Sequence, residues 1–244
     1  MTTKIHLVSY GDQNYTGSKI KLKEEAEKFN KFESITMNDP STLDGDFRNK
    51  FQPILNQRFG GGFWIWKIQV IKQKLHQIPD DDFLIYLDAG CIFNIEAEQK
   101  FNEYIEIVQK SEYGILSFQM TFPEREWTTR QVFEHLKVEQ NDPVALSGQL
   151  VGGIIVMRKC EHVLKIVEQI LEVYTQNPLL ITNTYNSINQ YPYFKDHRHD
   201  QSISSIIRKN LGTEILPDET YFENWDSDEA KKYPFWAKRR RIAD

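Results

Sequence analysis

The sequence has few of the features that define several large classes of protein. It contains two cysteines, Cys91 and Cys160, which are too few for a disulfide framework or a cysteine-based zinc site. No apolar run reaches the length of a membrane span, and the opening residues MTTKIHLVSYGD lack the apolar core of a signal peptide. We therefore expect a soluble, cytoplasmic protein with no transmembrane segment.

The chain also lacks an excess of basic charge. The formal net charge is −5, which gives no reason to expect nucleic acid as a partner. Hydrophobic residues make up 40% of the chain and aromatic residues 13%, enough for a packed core, so disorder is not expected. The 244 residues contain no repeat or evident linker. We expect one domain over residues 1–244 with a basic tail at 231–244.

Strand-like and helix-like segments alternate along the chain. Short apolar runs, typical of strands, lie at 4–10, 83–87, 113–118 and 150–157. Apolar residues at helical spacing lie at 18–32, 63–78, 96–110, 159–174 and from about residue 200. This alternation predicts a Rossmann-like α/β fold, with a mainly parallel sheet and helices on both faces. In such sheets, ligands bind beyond the carboxyl ends of the strands.

One predicted strand ends on a carboxylate. The run FLIYL at 83–87 is followed by Asp88, Ala89 and Gly90. A carboxylate there could hold a divalent metal, act as a nucleophile, orient a sugar hydroxyl, or merely cap the next turn. We favour a ligand crevice, which the two small residues keep open. The acidic run at 80–82 precedes the strand, so we expect it at the opposite end of the sheet, in a solvated turn.

A second cluster of polar residues precedes the last predicted helix. His197, His199 and Asp200 lie within FKDHRHDQS. Imidazole can ligate a metal or carry a proton near neutral pH, and a helix start favours anions. The structural alternative is that Asp200 is the N-cap of the helix. We favour a functional cluster.

The stretch RFGGGFWIWK matches neither a phosphate-binding P-loop nor the dinucleotide fingerprint. Its glycines could let a ligand approach the backbone closely. Arg58 and Lys67 supply positive charge on either side, which suits phosphate groups. Trp64 and Trp66 cannot share one helical face, so one is expected in the core and the other, which we take as Trp66, at a pocket.

Two further segments are candidates for substrate contact. Gly152 and Gly153, at the start of a predicted strand, indicate either close approach of a substrate or tight packing of the sheet. Glu126, Trp127 and Arg130 could bind a sugar acceptor, through hydrogen bonds to its hydroxyl groups and through stacking. They could equally belong to an exposed amphipathic helix.

The order of these segments resembles that of GT-A-type glycosyltransferases, which use nucleotide sugars. It is similar in particular to a group from bacteria and large viruses with Gly-Tyr-Trp-x-Trp-Lys and Leu-Asp-Ala-Gly stretches. The resemblance covers roughly residues 4–220 and rests on the shared order of SYGD, GGGFWIWK, FLIYLDAGC, WTTR, LVGGIIVMRK and HRHDQS.

The resemblance implies transfer of a sugar from a nucleotide-sugar donor to a hydroxyl of a glycan, protein-linked glycan or small molecule. Two other functions stay open. One is a catalytically inactive nucleotide-sugar-binding domain. The other is a phosphohydrolase that uses Asp88 as its nucleophile.

The resemblance also implies a metal, Mn²⁺ or Mg²⁺, to neutralise the departing diphosphate. GT-A enzymes bind it through an Asp-x-Asp motif at a strand end. Asp88 matches the first aspartate, but Gly90 stands in place of the second. His197 or His199 is the implied substitute ligand.

Further roles follow from the same resemblance. Asp200 and Gln201 resemble an acidic dipeptide beside the anomeric carbon, so Asp200, His199 and Gln201 are the expected catalytic residues. Asp200 would be the base for the acceptor hydroxyl or would stabilise an oxocarbenium-like centre. The nucleotide base and ribose are expected at the end of the first strand: Tyr10, Gly11 and Asp12.

Overall fold

The computed structural model describes residues 3–242. Its strands are β1 (Ile5–Tyr10), β2 (Ser34–Asn38), β3 (Phe83–Leu87), β4 (Ile92–Phe93), β5 (Ile115–Pro123), β6 (Gly148–Leu150), β7 (Ile154–Arg158), β8 (Glu214–Pro217) and β9 (Phe235–Trp236). The longer helices are α1 (Thr16–Phe29), α2 (Gly45–Leu55), α4 (Trp66–Gln77), α5 (Glu98–Lys110), α9 (Glu161–Gln176) and α10 (Asp200–Leu211). The short helices are α3 (Gly60–Phe63), α6 (Glu124–Trp127), α7 (Arg130–His135), α8 (Pro143–Leu146) and α11 (Asp228–Lys231), with 3-10 turns at Gln13–Tyr15, Pro40–Thr42 and Pro178–Ile181.

A seven-stranded sheet forms the centre, in the order β2-β1-β3-β7-β5-β6, with β8 beside β5. Strands β1, β2 and β3 are parallel, and β8 is parallel to β5. Strand β7 is antiparallel to both β3 and β5, and β6 is antiparallel to β5. Five strands therefore run one way and β6 and β7 the other, which confirms the predicted mainly parallel α/β sheet.

Helices cover both faces of the sheet, as predicted. Alternate residues of a strand point to opposite faces, so Leu84 and Tyr86 of β3 enter one core while Phe83, Ile85 and Leu87 enter the other. The first core is closed by α2, α4, α9 and α10. The second is closed by α1 and α5, together with the small β4–β9 ribbon.

The antiparallel strand β7 brings the glycine pair to the end of β3. Leu87 is paired with Ile154, and the backbone N–H of Asp88 donates to Gly153 O at 2.8 Å. Gly152 and Gly153 thus lie at the same edge of the sheet as Asp88. The sequence did not predict this, because it does not specify which strands are neighbours.

The acidic run lies at the opposite end of β3, as predicted. Asp80 and Asp81 are exposed and pair with Lys159 and Arg158 at 3.0 and 2.8 Å. Asp82 is not part of a solvated turn, however. It is buried, and its Oδ2 lies 3.1 Å from Nε2 of His6.

The glycine run has a conformational reason. Residues 60–64 all have positive φ, from 54° to 97°, a backbone that side chains other than glycine adopt at a cost. A Cβ on Gly62 would lie 2.7 Å from Cα of Leu55. The helix predicted from residue 63 consequently begins at Trp66.

Two other boundaries differ from expectation. The segment predicted as one amphipathic helix forms α6 and α7, separated by the extended residue Thr128. Part of the predicted basic tail forms β9, which pairs with β4, and the last two residues of the tail lie outside the described residues. Across residues 3–242, no helix has both the length and the apolar character needed to cross a bilayer.

Candidate active site

A buried lysine joins three segments of the chain at the carboxyl edge of β1 and β3. Lys67, in the first turn of α4, is 7% exposed. Its Nζ lies 2.8 Å from Oδ2 of Asp200 and 3.4 Å from Oδ1 of Asp88, and donates to Gly152 O at 3.1 Å. An ammonium group has three protons, and three protein oxygens surround this one.

Asp88 is the more accessible of the two carboxylates, with 37% of its side chain exposed. The hydroxyl of Tyr86 donates to its Oδ1 at 2.6 Å. A Cβ on Gly153 would lie 2.7 Å from the Oδ2 of Asp88, so glycine leaves room for the carboxylate. Tyr86 was not among the residues predicted from the sequence, although the two-residue period of a strand places it on the same side as Asp88.

Asp200 is buried and begins α10. The N-cap position, which was the structural alternative for Asp200, belongs to His199, whose backbone has φ 56° and ψ −121°. Such a conformation is strained for a residue with a side chain and persists only where surrounding contacts impose it. The Asp200 carboxylate contacts Lys67, and the backbone N–H of Gln201 also stabilises its negative charge.

Contacts around the imidazole hold His199 in this conformation. Its Nδ1 donates to Ile181 O at 2.8 Å. Phe59, Phe63 and Trp64 place their rings 5.0–5.7 Å from the imidazole. The aromatic residues in and next to the left-handed turn at 60–64 therefore pack against His199, the residue before Asp200.

Burial and mutual charge shift the pKa values of Asp200 and Lys67. Burial raises the pKa of Asp200 to about 6, with the negative charge of Asp88 adding to the effect and Lys67 opposing it. Burial alone would lower the pKa of Lys67, but Asp200 and Asp88 outweigh it and raise the pKa. A carboxylate with a pKa near the working pH is suited to general base catalysis.

The two histidines do not form a metal site with Asp88 in the described structure. Nε2 of the buried His197 donates to Leu180 O at 2.9 Å, and Nδ1 of His199 is used by Ile181 O. Between residues 3 and 242, no group of three or more His, Cys, Asp and Glu side chains could hold a metal ion. The protein atoms therefore offer Asp88 as a partial site only.

We expect His197 to make the fold acid-sensitive. Burial lowers its pKa from 6.5 to about 3, and the nearby His199 adds to the effect. The unfolded chain binds a proton below pH 6.5 while the folded chain does not, so this contribution to stability is present above pH 6.5 and is lost as the pH falls towards 3. Because His197→Gln cannot titrate, wild type should be more stable than the variant at pH 7, with the difference narrowing towards pH 4 in urea unfolding. A constant difference would contradict the prediction.

The residues expected to bind the nucleotide lie at the ends of β1 and β3. A Cβ on Gly11 would meet Cβ of Ala89 at 3.3 Å, so the two strand ends touch. Asp12 accepts a hydrogen bond from the backbone N–H of Asn14. Tyr10 and Trp66 stack on each other with ring centroids 3.9 Å apart and are both buried. Trp66 therefore lies in the core rather than at a pocket as expected, and Trp64 is the less buried of the two tryptophans.

Gln201 is fixed by protein groups at both ends of its amide. Its Oε1 accepts from the N–H of Gly152 at 2.9 Å, and its Nε2 donates to Oε1 of Gln149 at 2.6 Å. Gln149 in turn donates to the fully buried Glu124 at 2.9 Å. No sequence pattern indicated Gln149 or Glu124. The hydrogen bond from Gly152 thus holds the side chain of Gln201 beside the Gly152–Gly153 pair.

The expected acceptor residues pack against the loop that leads to Asp200. Trp127 stacks with Arg198, whose guanidinium carbon lies 4.1 Å from the ring centroid. Glu126 forms an ion pair with Lys195 at 2.7 Å. Arg130 lies farther along and pairs with Glu134 on α7.

The two cations expected to bind phosphates differ in availability. Arg58 is exposed, and its side chain makes no hydrogen bond or ion pair within the described range 3–242. The ammonium of Lys67 is directed at protein oxygens, as described above. The charge of Lys67 is therefore used to stabilise the carboxylates of Asp88 and Asp200, and of the two cations only Arg58 has its charge available to a phosphate.

Solved structures with a similar fold are glycosyltransferases. One is a glycosyltransferase involved in the glycosylation of the major capsid of PBCV-1, with a TM-score of 0.51, 13% identity, and coverage of 96% of this chain and 91% of that one. Another is the bifunctional glycosyltransferase WbbM, with a TM-score of 0.53, 11% identity and 95% coverage of this chain, which spans 44% of the WbbM chain.

Sequence comparison finds less. No family profile and no curated protein sequence matches the chain. At 11–13% identity the likeness is one of fold. The GT-A-like fold that the sequence motifs implied is confirmed, and its structural neighbours are glycosyltransferases.

Proposed function

We propose that this protein is a glycosyltransferase that moves a sugar from a nucleotide-sugar donor to a hydroxyl acceptor. The observation that carries the proposal is the convergence of Asp88 and Asp200 on Lys67, at the ligand-binding edge of a GT-A-like sheet. A buried carboxylate with a raised pKa beside a more exposed carboxylate is a common sign of an active site.

Asp200 is the proposed general base. The acceptor oxygen attacks the anomeric carbon while its proton passes to a carboxylate oxygen of Asp200. The bond from the anomeric carbon to the diphosphate oxygen breaks, and the nucleoside diphosphate leaves with the electron pair. Alternatively, the same carboxylate stabilises the oxocarbenium-like centre. His199 holds Asp200 in place through its strained backbone and packed ring.

We also propose that Mn²⁺ or Mg²⁺ assists, held at Asp88. These ions are commonly bound by one or two carboxylates with water and substrate phosphates as the other ligands, which fits the partial site. Such an ion supplies positive charge to the departing diphosphate. His197 or His199 as a second ligand would use the ring nitrogen that does not donate to a carbonyl, Nδ1 of His197 or Nε2 of His199.

A thermal-shift panel tests donor binding and metal dependence together. UDP-, GDP-, CMP- and dTDP-sugars are each added with Mn²⁺ or with a chelator. At about 100 times its Kd, a ligand of the native state adds about 2.7 kcal/mol, or roughly 5–10 °C for a chain of this length. We expect one nucleotide to give a selective rise that is larger with Mn²⁺.

The controls separate the remaining possibilities. Release of nucleoside diphosphate from the selected donor, alone or with oligosaccharide acceptors, distinguishes an enzyme from an inactive binding domain, the alternative that Gly90 favours by replacing the second aspartate. A rise equal with and without metal would remove the metal from the proposal. No rise with any donor would contradict the transferase itself.

A further inference from the structure

Two aromatic side chains reach the surface beside His199, the residue before Asp200. Phe59 is 56% exposed, and Trp64 is half-buried. The two rings meet edge-to-face with centroids 5.3 Å apart, and they lie 5.1 and 5.7 Å from the imidazole of His199. His199 itself is only 6% exposed, so these rings contribute to its burial. We call Phe59 and Trp64 the aromatic platform.

The backbone that carries Trp64 is strained. Phe63 and Trp64 have φ 54° and 60°, and a positive φ is a genuine outlier for a bulky side chain. A Cβ on Gly60 would lie 2.6 Å from Cε3 of the Trp64 indole, so a glycine is needed there for the indole to keep its position. Strain of this kind clusters at ligand-binding sites, where it fixes a side chain before the ligand arrives. The turn at 60–64 thus holds the indole beside His199.

The indole N–H of Trp64 is available to a ligand. Nε1 of Trp66 donates to Gly60 O at 3.1 Å, and Nε1 of Trp127 is buried without a partner. Nε1 of Trp64 makes no hydrogen bond with any residue from 3 to 242 and is not enclosed by them. Trp64 therefore offers an apolar ring together with a hydrogen-bond donor at its edge, which suits a ligand that is apolar on one side and polar on another.

The tryptophan expected from the sequence to stack on an acceptor is covered by other side chains. The guanidinium carbon of Arg198 lies 4.1 Å from the ring centroid of Trp127. The ring of Phe122 meets Trp127 edge-on at a centroid distance of 5.8 Å. A sugar could stack on the face that Arg198 occupies only by displacing its guanidinium. The exposed ring of Phe59 requires no such displacement.

We infer that the aromatic platform binds a sugar ring of the acceptor. The C–H face of a sugar ring packs against an aromatic ring, while its hydroxyl groups form hydrogen bonds with polar groups at the edge of the site. His199 and Asp200 are consecutive, so a sugar held on the platform lies one residue away from the proposed general base. The inference rests on the proposed function and adds the part of the site that selects a carbohydrate as the acceptor.

The test is transfer kinetics with the donor selected by the thermal-shift panel. The acceptor probes are the α- and β-methyl glycosides of glucose, galactose, N-acetylglucosamine, mannose and xylose. Phe59→Leu keeps an apolar side chain but removes the ring, so it should raise the KM of the glycoside that is used by roughly 3–10-fold, the loss expected for one aromatic contact. The kcat and the calorimetric Kd of the donor should stay at wild-type values, because the lost contact is made equally in the ground state and the transition state.

Two further variants separate stacking from a structural role. Phe59→Tyr keeps the ring and should keep the wild-type KM. Phe122→Leu is the matched control, since Phe122 is 50% exposed and packs on Trp127 rather than on the platform. It should bind the glycoside as wild type does. If Phe59 only supported His199, its loss would disturb Asp200 and would lower kcat instead of raising the KM of the acceptor.

The outcomes distinguish this inference from the function on which it rests. If Phe59→Leu keeps the wild-type KM, or lowers kcat alone, the platform is not the acceptor site and the transferase stands. If Phe122→Leu raises the KM as much as Phe59→Leu does, the acceptor binds at Trp127 and the inference is wrong. If a donor binds but no glycoside accelerates release of the nucleoside diphosphate, the carbohydrate acceptor is overturned while the donor site stands. If no donor binds, the proposed function fails and the inference fails with it.

Discussion

Replacing Asp200 by asparagine is expected to reduce the rate of sugar transfer by roughly 10²–10⁴-fold, the usual contribution of a general base. Asparagine keeps the size of the side chain and can still accept a hydrogen bond from Lys67, so the fold and the donor site should persist. The loss should appear in kcat under saturating donor and acceptor, while calorimetric binding of the donor stays close to that of wild type.

Asp81→Asn is the matched control for this variant. Asp81 lies at the opposite end of β3, is exposed, and has a left-handed backbone that asparagine tolerates. Its substitution should leave transfer unchanged. If Asp200→Asn kept the wild-type kcat, Asp200 would have no catalytic role and its burial would have to be explained by Lys67 alone.

The pH dependence of the wild-type enzyme gives an independent check on Asp200. Burial raises the pKa of its carboxyl to about 6, and only the ionised form can accept a proton. The rate should therefore rise with pH through about 6 and level off above it. Asp200→Asn should lose this part of the profile.

The sequence predicted the strand ends of the site well, because a continuous apolar run that stops at a carboxylate is a local signal. FLIYL followed by Asp88 located the tip of β3, and its period of two could also have identified Tyr86. The same reasoning placed the acidic run at the opposite end of the strand. Burial of Asp82 escaped it, because this depends on His6, which lies far away in the sequence.

Features that depend on tertiary neighbours could not be predicted. The position of Gly153 beside Asp88 follows from antiparallel pairing of β7 with β3, which hydrophobic patterns do not specify. A local pattern left a helix cap open as the alternative role for Asp200, whereas in the fold His199 takes the N-cap position and Asp200 contacts Lys67. In each case, contacts between distant segments overrode a local preference.

Lys67 shows this limit most clearly and carries the second large prediction. From sequence it was a phosphate-binding cation beside a glycine run, whereas in the fold it is buried between two carboxylates. Removing one partner of a buried ion pair leaves an uncompensated charge. We expect Lys67→Met to lower the free energy of unfolding by about 3–5 kcal/mol, measured by urea unfolding with an unchanged m-value.

Two further variants distinguish the ion pair from simple loss of packing. Lys74→Met makes the same substitution later on α4, at a lysine that is 8% exposed and has no ion pair with any residue described between 3 and 242. It should be close to neutral. Lys67→Met combined with Asp200→Asn removes both charges, so it should be more stable than Lys67→Met alone, which is the coupling expected of residues in contact.

The same cycle tests whether the site is built around Lys67. If Lys67→Met is no more destabilising than Lys74→Met, or if the added Asp200→Asn restores nothing, the two residues are not energetically coupled. If the added Asp200→Asn does recover stability, then Lys67 both keeps Asp200 ionised in its buried position and holds it near Asp88. Stability and catalysis would then depend on a single ammonium group, and the donor phosphates would have to be neutralised by other cations.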